Sequence, residues 1–488
     1  MATLISREEL FKELVDSTDT SKLRRCLFDE VSQEDRTQNS TQWLSWVHRQ
    51  TELKAVTFKV PAGILPAHLE GNLTDVKVSS KGPDDKVYDK SEDFRQCVAR
   101  GNCILEMKNK KTGEYSADCV IFALKKFTGG LGDDDDRDIG DGFKWQKYFT
   151  KPITHAERVI CTKKMNGEAA HFAVRWFGND FYIIAGSKNV HLVFRTQEDI
   201  DKYSESRFLV ARDVASTCLR FFEAMDVGLR CSLFSFFHHT KYTAVLEILL
   251  PHYQHVEDLS YLPAPELYFI SWSKTDFSEG YKEEICISPD FGQKIAQRFQ
   301  LKVTGYDAVL HADLADQLLK IRRGHGYEGE VLYFVDKNGD VIGLLKKKTI
   351  WYIIIRALRE KAKNAASEFK VTKKSPSGQG KFELTKAVTS MKKRLLEIQQ
   401  WMGMDDEAKD AWEKLSIGFL QWLATGLEER RIEGKVLFTM YPTLWTRYLK
   451  ETGQTDHIGV QTVTTDDDPD KPLSELPDED GELSDHDS

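Results

Sequence analysis

The sequence predicts an α+β protein whose C-terminal region is helical. Between residues 158 and 356, eight short runs rich in β-branched and aromatic residues indicate strands, and stretches near 208–226 and 290–300 indicate helices. Apolar residues then recur every three or four positions from Leu384 to Trp422, which is typical of amphipathic helices. The 488 residues, 41% of them hydrophobic, suffice for two or three domains with their own cores.

The chain is expected to divide into a helical N-terminal appendage (1–50), a strand-rich domain (51–365), a helical C-terminal domain (366–455) and a disordered acidic tail (464–488). Ser6 and Glu9 form a capping-box pattern that predicts the first helix. Residues 128–142 contain five glycines and six aspartates without an apolar period, which predicts an exposed loop. The Ser-, Gly- and Lys-rich stretch 373–381 is typical of a linker.

Charge is distributed unevenly along the chain. The 77 acidic and 68 basic residues give a net charge of -9, but residues 466–488 contain eleven acidic residues and one lysine and so carry -10. The remaining residues therefore carry +1. This balance excludes a histone-like protein that binds nucleic acid by bulk charge, and it leaves room for a local basic cleft.

The sequence also restricts the cellular location. No apolar run approaches the roughly 18 residues that a membrane-spanning helix needs, and the N-terminal segment is charged and amphipathic rather than a signal sequence. The eight cysteines include no CxxC pair. We therefore expect reduced thiols in an intracellular protein, cytoplasmic or nuclear, that does not enter a membrane.

The strongest chemical motif is Lys164-Met165-Asn166-Gly167, which directly follows a strand-like run. A lysine amine can act as a nucleophile that forms a covalent intermediate. The bare K-x-x-G spacing is common here, since it occurs at Lys110, Lys126, Lys164, Lys302 and Lys450. Only the motif at Lys164 lies between two apolar strand-like runs and has a polar Asn before the Gly.

Four further segments follow in order, and each supplies a charged group in a strand or at its end. They offer Lys188, Glu247, Glu328 and the pair Lys346 and Lys348. A carboxylate in an apolar strand is costly unless it has a partner. Lysines two positions apart on a strand project to the same face, so Lys347 should point to the opposite side. These placements are typical of a functional site.

In their order, these segments resemble five elements of the ATP-dependent RNA ligases, which belong to the covalent nucleotidyltransferase superfamily together with DNA ligases and mRNA capping enzymes. The resemblance is greatest to the phage-type RNA ligase 1 group and the sealing domains of fungal tRNA ligases. There, as here, Pro251 follows the strand glutamate and Trp351-Tyr352 follows the last lysine pair. The resemblance spans about residues 97–356. It implies a nucleotidyltransferase ligase core with antiparallel, ATP-grasp-like sheets.

The resemblance also implies roles for individual residues. Lys164 would be the catalytic nucleophile, and ATP would be bound by a set that comprises Arg100, Lys126, Lys147, Thr162, Lys164, Gly167, Lys188, Glu247, Glu328, Lys346, Lys348 and Tyr352. Lys126 and Lys147 are alternatives for one position, because Lys126 follows a strand and Lys147 precedes an aromatic pair. Glu328 would also support Mg²⁺ or Mn²⁺, and an aromatic ring near Tyr268-Phe269 would stack on adenine. Asn166 stands where many relatives have Asp.

The function that the resemblance implies is ATP-dependent ligation of RNA. Lys164 would form a lysyl-AMP intermediate, AMP would pass to an RNA 5'-phosphate, and a 3'-OH would displace it, in RNA repair or tRNA processing. Lys346 and Lys348, together with a bound Mg²⁺, are expected to favour the neutral, nucleophilic form of Lys164. We expect a monomer whose partner is RNA. The alternatives are a DNA ligase or GTP-dependent capping enzyme, and a catalytically silent RNA-binding protein; residues after Tyr352 look helical and basic, which argues against an appended OB-fold.

Overall fold

The computed structural model describes residues 3–28, 30–79, 84–129, 144–274, 285–369 and 380–460. The predicted acidic tail lies outside these residues. So do most of the predicted loop at 128–142 and most of the predicted linker at 373–381.

The strands of the described residues form three sheets. The first sheet has the order β1-β2-β3-β4, with β1 Leu53–Lys59, β2 Leu69–Val78, β3 Asn102–Asn109 and β4 Tyr115–Phe122. The second has the order β11-β10-β9-β6-β7-β8, with β6 Glu168–Phe177, β7 Asp180–Ser187, β8 Val190–Phe194, β9 Tyr242–Leu249, β10 Glu266–Lys274 and β11 Lys302–Val303. The third has the order β12-β5-β13-β14, with β5 Ala156–Lys163, β12 Asp307–Leu310, β13 Gly329–Asp336 and β14 Val341–Lys348. Only the short β10–β11 pair is parallel among these strands.

The helices of the described residues fall into two groups along the chain. Those before and between the strands are α1 Arg7–Leu14, α2 Thr20–Phe28, α3 Gln33–Val47, α4 Asp85–Lys90, α5 Glu92–Cys97, α6 Gln197–Asp201, α7 Leu209–Ala224, α8 Val227–Thr240, α9 Pro289–Arg298 and α10 Leu314–Arg322. Those after the last strand are α11 Ile350–Ala365, α12 Leu384–Met402, α13 Asp406–Glu428, α14 Gly434–Thr439 and α15 Tyr441–Thr452. Helices mixed with antiparallel sheets confirm the α+β prediction. None of the helices in the described segments is both long and apolar enough to cross a bilayer.

The first helices belong to the largest core. Ser6 caps α1 as the capping-box pattern predicts, and Leu10 and Leu14 of α1 are buried together with Phe172 and Trp272 of the second sheet. The apolar side of these first helices is therefore covered by residues of the sheet region.

A second core lies among the helices that follow the last strand. It contains Trp412, Phe419 and Tyr448 of the C-terminal helices and the buried face of α11. Val256, from the connection between β9 and β10, is also part of this core. The C-terminal helices thus contact a segment that comes from the sheet region, next to the site described below.

Candidate active site

Lys164 lies at the junction of two strands of the third sheet. Strands β5 and β13 pair so that Thr162 faces Val331, and the backbone N–H of Lys164 donates to the carbonyl of Gly329 at 2.8 Å. Thr162 is buried, and its hydroxyl donates to the Val331 carbonyl at 3.4 Å. This pairing places the Lys164 amine 2.9 Å from Glu328, the residue that precedes β13.

Asn166 connects the residues around Lys164. Its side-chain N–H group donates to Glu328 Oε2 at 2.7 Å and to the Tyr352 hydroxyl at 3.3 Å. Its oxygen accepts the backbone N–H groups of Val256 at 2.9 Å and Glu257 at 3.0 Å. Both the nitrogen and the oxygen of this buried amide therefore have hydrogen-bond partners, and the nitrogen faces a carboxylate.

Gly167 carries the chain from the third sheet to the second. Its N–H donates to Glu247 Oε1 at 3.0 Å. Strands β6 and β9 pair at this point, with Ala169 opposite Glu247. A Cβ at residue 167 would lie 2.3 Å from the carbonyl oxygen of Ile248. Only glycine permits this approach of the two strands.

The carboxylates hold the lysine in its charged form. Burial would lower the pKa of Lys164, but Glu328 and Glu247 outweigh burial and raise it. Burial acts to raise the pKa of Glu328, but Lys164 and Lys348 outweigh it and lower that pKa below its ordinary value. Burial raises the pKa of Glu247 to about 7. The expectation that neighbouring lysines favour a neutral Lys164 is therefore wrong for the ligand-free protein, because the negative charges of Glu328 and Glu247 dominate the pKa of Lys164.

The last strand carries its lysines at two different parts of the site. Lys348 Nζ lies 5.6 Å from the centre of the Tyr352 ring, close enough for a cation–π contact. Lys346 contributes a positive charge near Lys126. Lys347 between them pairs in register with Glu330 and is 1% exposed, so the side opposite the two outer lysines is also buried.

A cluster of three cations lies around one carboxylate, and we call Arg100, Lys126 and Lys188 the cation cluster. Arg100 is 2.8 Å from Asp84 Oδ2, Lys188 is 3.3 Å from the same oxygen, and Lys126 is 3.6 Å from Asp84 Oδ1. Lys126 also pairs with Asp85. The backbone N–H of Arg100 donates to the Leu124 carbonyl at 2.9 Å, which brings the Arg100 and Lys126 segments together.

Lys147 lies in a different environment. Its amine is 2.9 Å from Asp89, whose carboxylate also accepts the Tyr148 hydroxyl at 2.7 Å. The sequence leaves Lys126 and Lys147 as alternatives for one ATP-binding position. In the structure Lys126 lies with Arg100 in the cation cluster, whereas Lys147 pairs with Asp89.

Strand register separates the two aromatic candidates for the adenine. Tyr268 of β10 pairs directly with Glu247 of β9, so the two side chains share a face of the sheet. Phe269 points the other way and is fully buried in the main core. Tyr268 is therefore the ring that lies on the Glu247 side.

Sequence reasoning missed two carboxylates of this region. Glu257 accepts the backbone N–H of Glu328 at 2.8 Å, and Asp84 binds the cation cluster. Both lie outside the strands and follow no apolar period, so the sequence carries no signal that separates them from ordinary loop acids.

This chain was compared with protein families, with curated proteins and with solved structures. A family model described as "Domain of unknown function (DUF7920)" matches residues 72–359, which is more than half of the chain. No curated protein matches the chain.

Solved structures of a Naegleria gruberi RNA ligase show a remote similarity. They include mutant forms with ATP and Mn, without ligand, and with AMP and Mn, at 13%, 12% and 13% identity. Each alignment covers 62% of this chain and 96%, 96% and 97% of the other, with a TM-score of 0.27. A similarity at this TM-score is too weak to support an inference about function.

Proposed function

We propose that this chain, which belongs to the family described as "Domain of unknown function (DUF7920)", is an ATP-dependent RNA ligase that acts through a lysyl-AMP intermediate. The main support is the convergence of two carboxylates from separate segments, Glu328 and Glu247, on one lysine that follows a strand. Lys164 meets Glu328 at 2.9 Å, and Glu247 raises its pKa from the neighbouring sheet. The cation cluster and Lys346 provide positive charge of the kind that a triphosphate requires.

In the first step, the Lys164 amine would attack the α-phosphorus of ATP. A nitrogen–phosphorus bond forms, the bond from that phosphorus to the bridging oxygen breaks, and pyrophosphate leaves. The amine must first lose a proton, and the raised pKa of Lys164 makes this loss unfavourable at neutral pH. The adenylation rate should therefore increase with pH. Arg100, Lys126 and Lys346 would stabilise the charge that develops on the leaving phosphates.

A divalent cation fits this site through Glu328. Both carboxylate oxygens of Glu328 already have a partner, Lys164 for one and Asn166 for the other. Each oxygen keeps a second lone pair, and carboxylate oxygens are the ligands that Mg²⁺ and Mn²⁺ prefer. Glu328 would hold the ion, directly or through its waters, and the bound ion would neutralise phosphate charge. Tyr268 would stack on the adenine, and Glu247 would orient the ribose or the lysine.

The second and third steps would transfer AMP to an RNA 5'-phosphate and displace it by an RNA 3'-OH. The substrate assignment rests on the sequence pattern around Trp351 and Tyr352. It is also supported by the helices α11 to α15, because the described residues after Tyr352 include no strand that could begin an OB-fold. RNA repair or tRNA processing, by a monomer, is the setting that we propose.

The direct test is incubation of the full-length protein with ATP labelled at the α-phosphate. The wild-type protein should retain label through denaturing electrophoresis, and Lys164→Ala should retain none. Lys110→Ala is the matched control, because Lys110 has the same K-x-x-G spacing but donates to the Ala67 carbonyl at the surface. Labelling of Lys164→Ala at the wild-type level would refute the assignment of the nucleophile.

Substrate panels then separate the proposal from its alternatives. Labelling by GTP instead of ATP would indicate a capping enzyme, and equal sealing of nicked duplex DNA would indicate a DNA ligase. RNA binding without any label would indicate a silent RNA-binding protein. The proposal predicts label from ATP and sealing of RNA with 5'-phosphate and 3'-OH ends.

A further inference from the structure

A carboxylate of the chain itself sits among the cations that we assign to the phosphates of ATP. Asp84 contacts each member of the cation cluster, at 2.8 Å for Arg100, 3.3 Å for Lys188 and 3.6 Å for Lys126. Such convergence of an arginine and two lysines on one anion is the geometry by which proteins bind phosphate groups.

The electrostatics of the cluster favour an anion at this place. Burial lowers the pKa of Lys126 and of Lys188, and Arg100 lowers both further. Burial acts to raise the pKa of Asp84, but Arg100, Lys126 and Lys188 hold it well below its usual range. The cations repel one another, and the ionised Asp84 offsets this repulsion when no substrate is present.

We propose that Asp84 is an internal substitute for the ATP phosphates, which ATP displaces and which returns when pyrophosphate leaves. The proposal rests on the proposed function, because it assumes that the cation cluster binds the triphosphate. An anion that competes for the same cations weakens the binding of ATP and of pyrophosphate alike. The weaker binding of pyrophosphate matters most for the reaction. The returning carboxylate promotes release of pyrophosphate and so opposes reversal of adenylation.

Asp84 is placed so that its side chain can leave the cations without unfolding its surroundings. It lies at the N-terminal end of α4, and its side chain makes no capping bond to that helix. The helix is anchored elsewhere, by the buried Tyr88 and by Arg95, which donates to the Tyr88 carbonyl at 2.8 Å. The Asp84 side chain is 26% exposed. A change of side-chain rotamer can therefore take this carboxylate away from Arg100 and Lys188, while Asp85 remains paired with Lys126.

The test compares Asp84→Asn with the wild-type protein by calorimetric titration with inorganic tripolyphosphate and with pyrophosphate. Loss of one competing charge should tighten both affinities by about tenfold, the effect of one charge-assisted contact. Pyrophosphate should also inhibit adenylation of Lys164 at about tenfold lower concentration in this variant. Asp180→Asn is the control, because Asp180 pairs with Arg195 at 3.0 Å and its side chain is 43% exposed; its affinities should be unchanged.

The outcomes distinguish this inference from the function on which it rests. Unchanged or weaker anion binding by Asp84→Asn, with Lys164 still labelled by ATP, would show that Asp84 orders the cations rather than competing for them. Tighter anion binding with no label on Lys164 in either protein would support the phosphate substitute and refute the ligase proposal. Tighter anion binding by Asp84→Asn, with Lys164 labelled in both proteins, supports both the phosphate substitute and the ligase proposal.

Discussion

Replacing Asn166 by Asp should destabilise this protein. Asn166 donates to Glu328 Oε2 at 2.7 Å and to the Tyr352 hydroxyl at 3.3 Å, and it accepts the backbone N–H groups of Val256 and Glu257. An Asp side chain keeps both acceptor contacts with the backbone. It loses the donor to Glu328 and places a second carboxylate against the first.

The size of the effect follows from these contacts. A hydrogen bond to a charged group contributes about 1.5–3 kcal/mol. Leaving a buried charge without its partner, here beside a like charge, costs about 3–5 kcal/mol. We therefore expect Asn166→Asp to lower the free energy of unfolding by about 3–5 kcal/mol at pH 8, a large part of the typical total of about 5–15 kcal/mol.

The pH dependence identifies the mechanism. Two adjacent carboxylates share a proton, so the folded-state pKa of one of them lies above its unfolded value. The contribution of that group to stability is complete below the unfolded pKa and is lost as pH rises through the folded pKa. Urea unfolding of Asn166→Asp should therefore show the largest deficit at about pH 8 and a partial recovery near pH 5.

Asn109 provides the matched control for this experiment. Its side-chain oxygen accepts two backbone N–H groups, from Lys111 at 2.9 Å and Thr112 at 3.3 Å, in an exposed turn. Asn109→Asp should leave the free energy of unfolding within about 0.5 kcal/mol of wild type. If Asn166→Asp is as stable as this control at pH 8 and Lys164 is labelled normally, the donor contact with Glu328 does not matter and the reasoning fails.

Three further predictions concern the same site. Lys126→Ala should slow adenylation by about 10²-fold whereas Lys147→Ala should change it little, and equal rates in single-turnover labelling would contradict the separation of the two lysines. Glu247 has a folded-state pKa of about 7 against an ordinary 4.5, so its contribution to stability is complete below pH 4.5 and is lost as pH rises through 7. Glu247→Gln should remove that decrease in urea unfolding between these pH values, and an unchanged pH profile would contradict the pKa. Gly167→Ala should lower the unfolding free energy by about 1–3 kcal/mol through its clash with the neighbouring strand. Gly459 has open space where a Cβ would be added, so Gly459→Ala should leave the unfolding free energy unchanged. Equal stability of the two variants would contradict the clash at residue 167.

Several groups of the candidate site, among them Lys164, Glu247 and Glu328, lie in a strand or directly beside one, where the local sequence pattern marks them. Strand periodicity predicts that Lys346 and Lys348 share a face, and chain order selects Lys164 among five lysines with the same spacing. The structure brings Lys164, Glu247 and Glu328 together through the pairing of β5 with β13 and of β6 with β9. Which strands pair is a long-range property, and the local pattern does not contain it.

Other features depend on tertiary contacts that no local pattern encodes. The raised pKa of Lys164 follows from the distance to Glu328, which the sequence does not give. Lys126 and Lys147 look alike in the sequence, and they are separated only when the Arg100 backbone pairs with Leu124. Asp84 directly precedes a short helix whose sequence has no unusual feature, so its contact with the cation cluster could not be predicted.

The C-terminal helices take part in positioning Asn166, although they lie far from it in the sequence. The side-chain oxygen of Asn166 is held by the backbone of Val256 and Glu257. Val256 is buried in the core that the C-terminal helices form, and the backbone N–H of Gln254 donates to the Thr439 carbonyl at 2.7 Å. These contacts fix the segment between β9 and β10 against the C-terminal helices. Since Asn166 in turn donates to Glu328, the geometry around Lys164 depends on helices that lie far from it in the sequence.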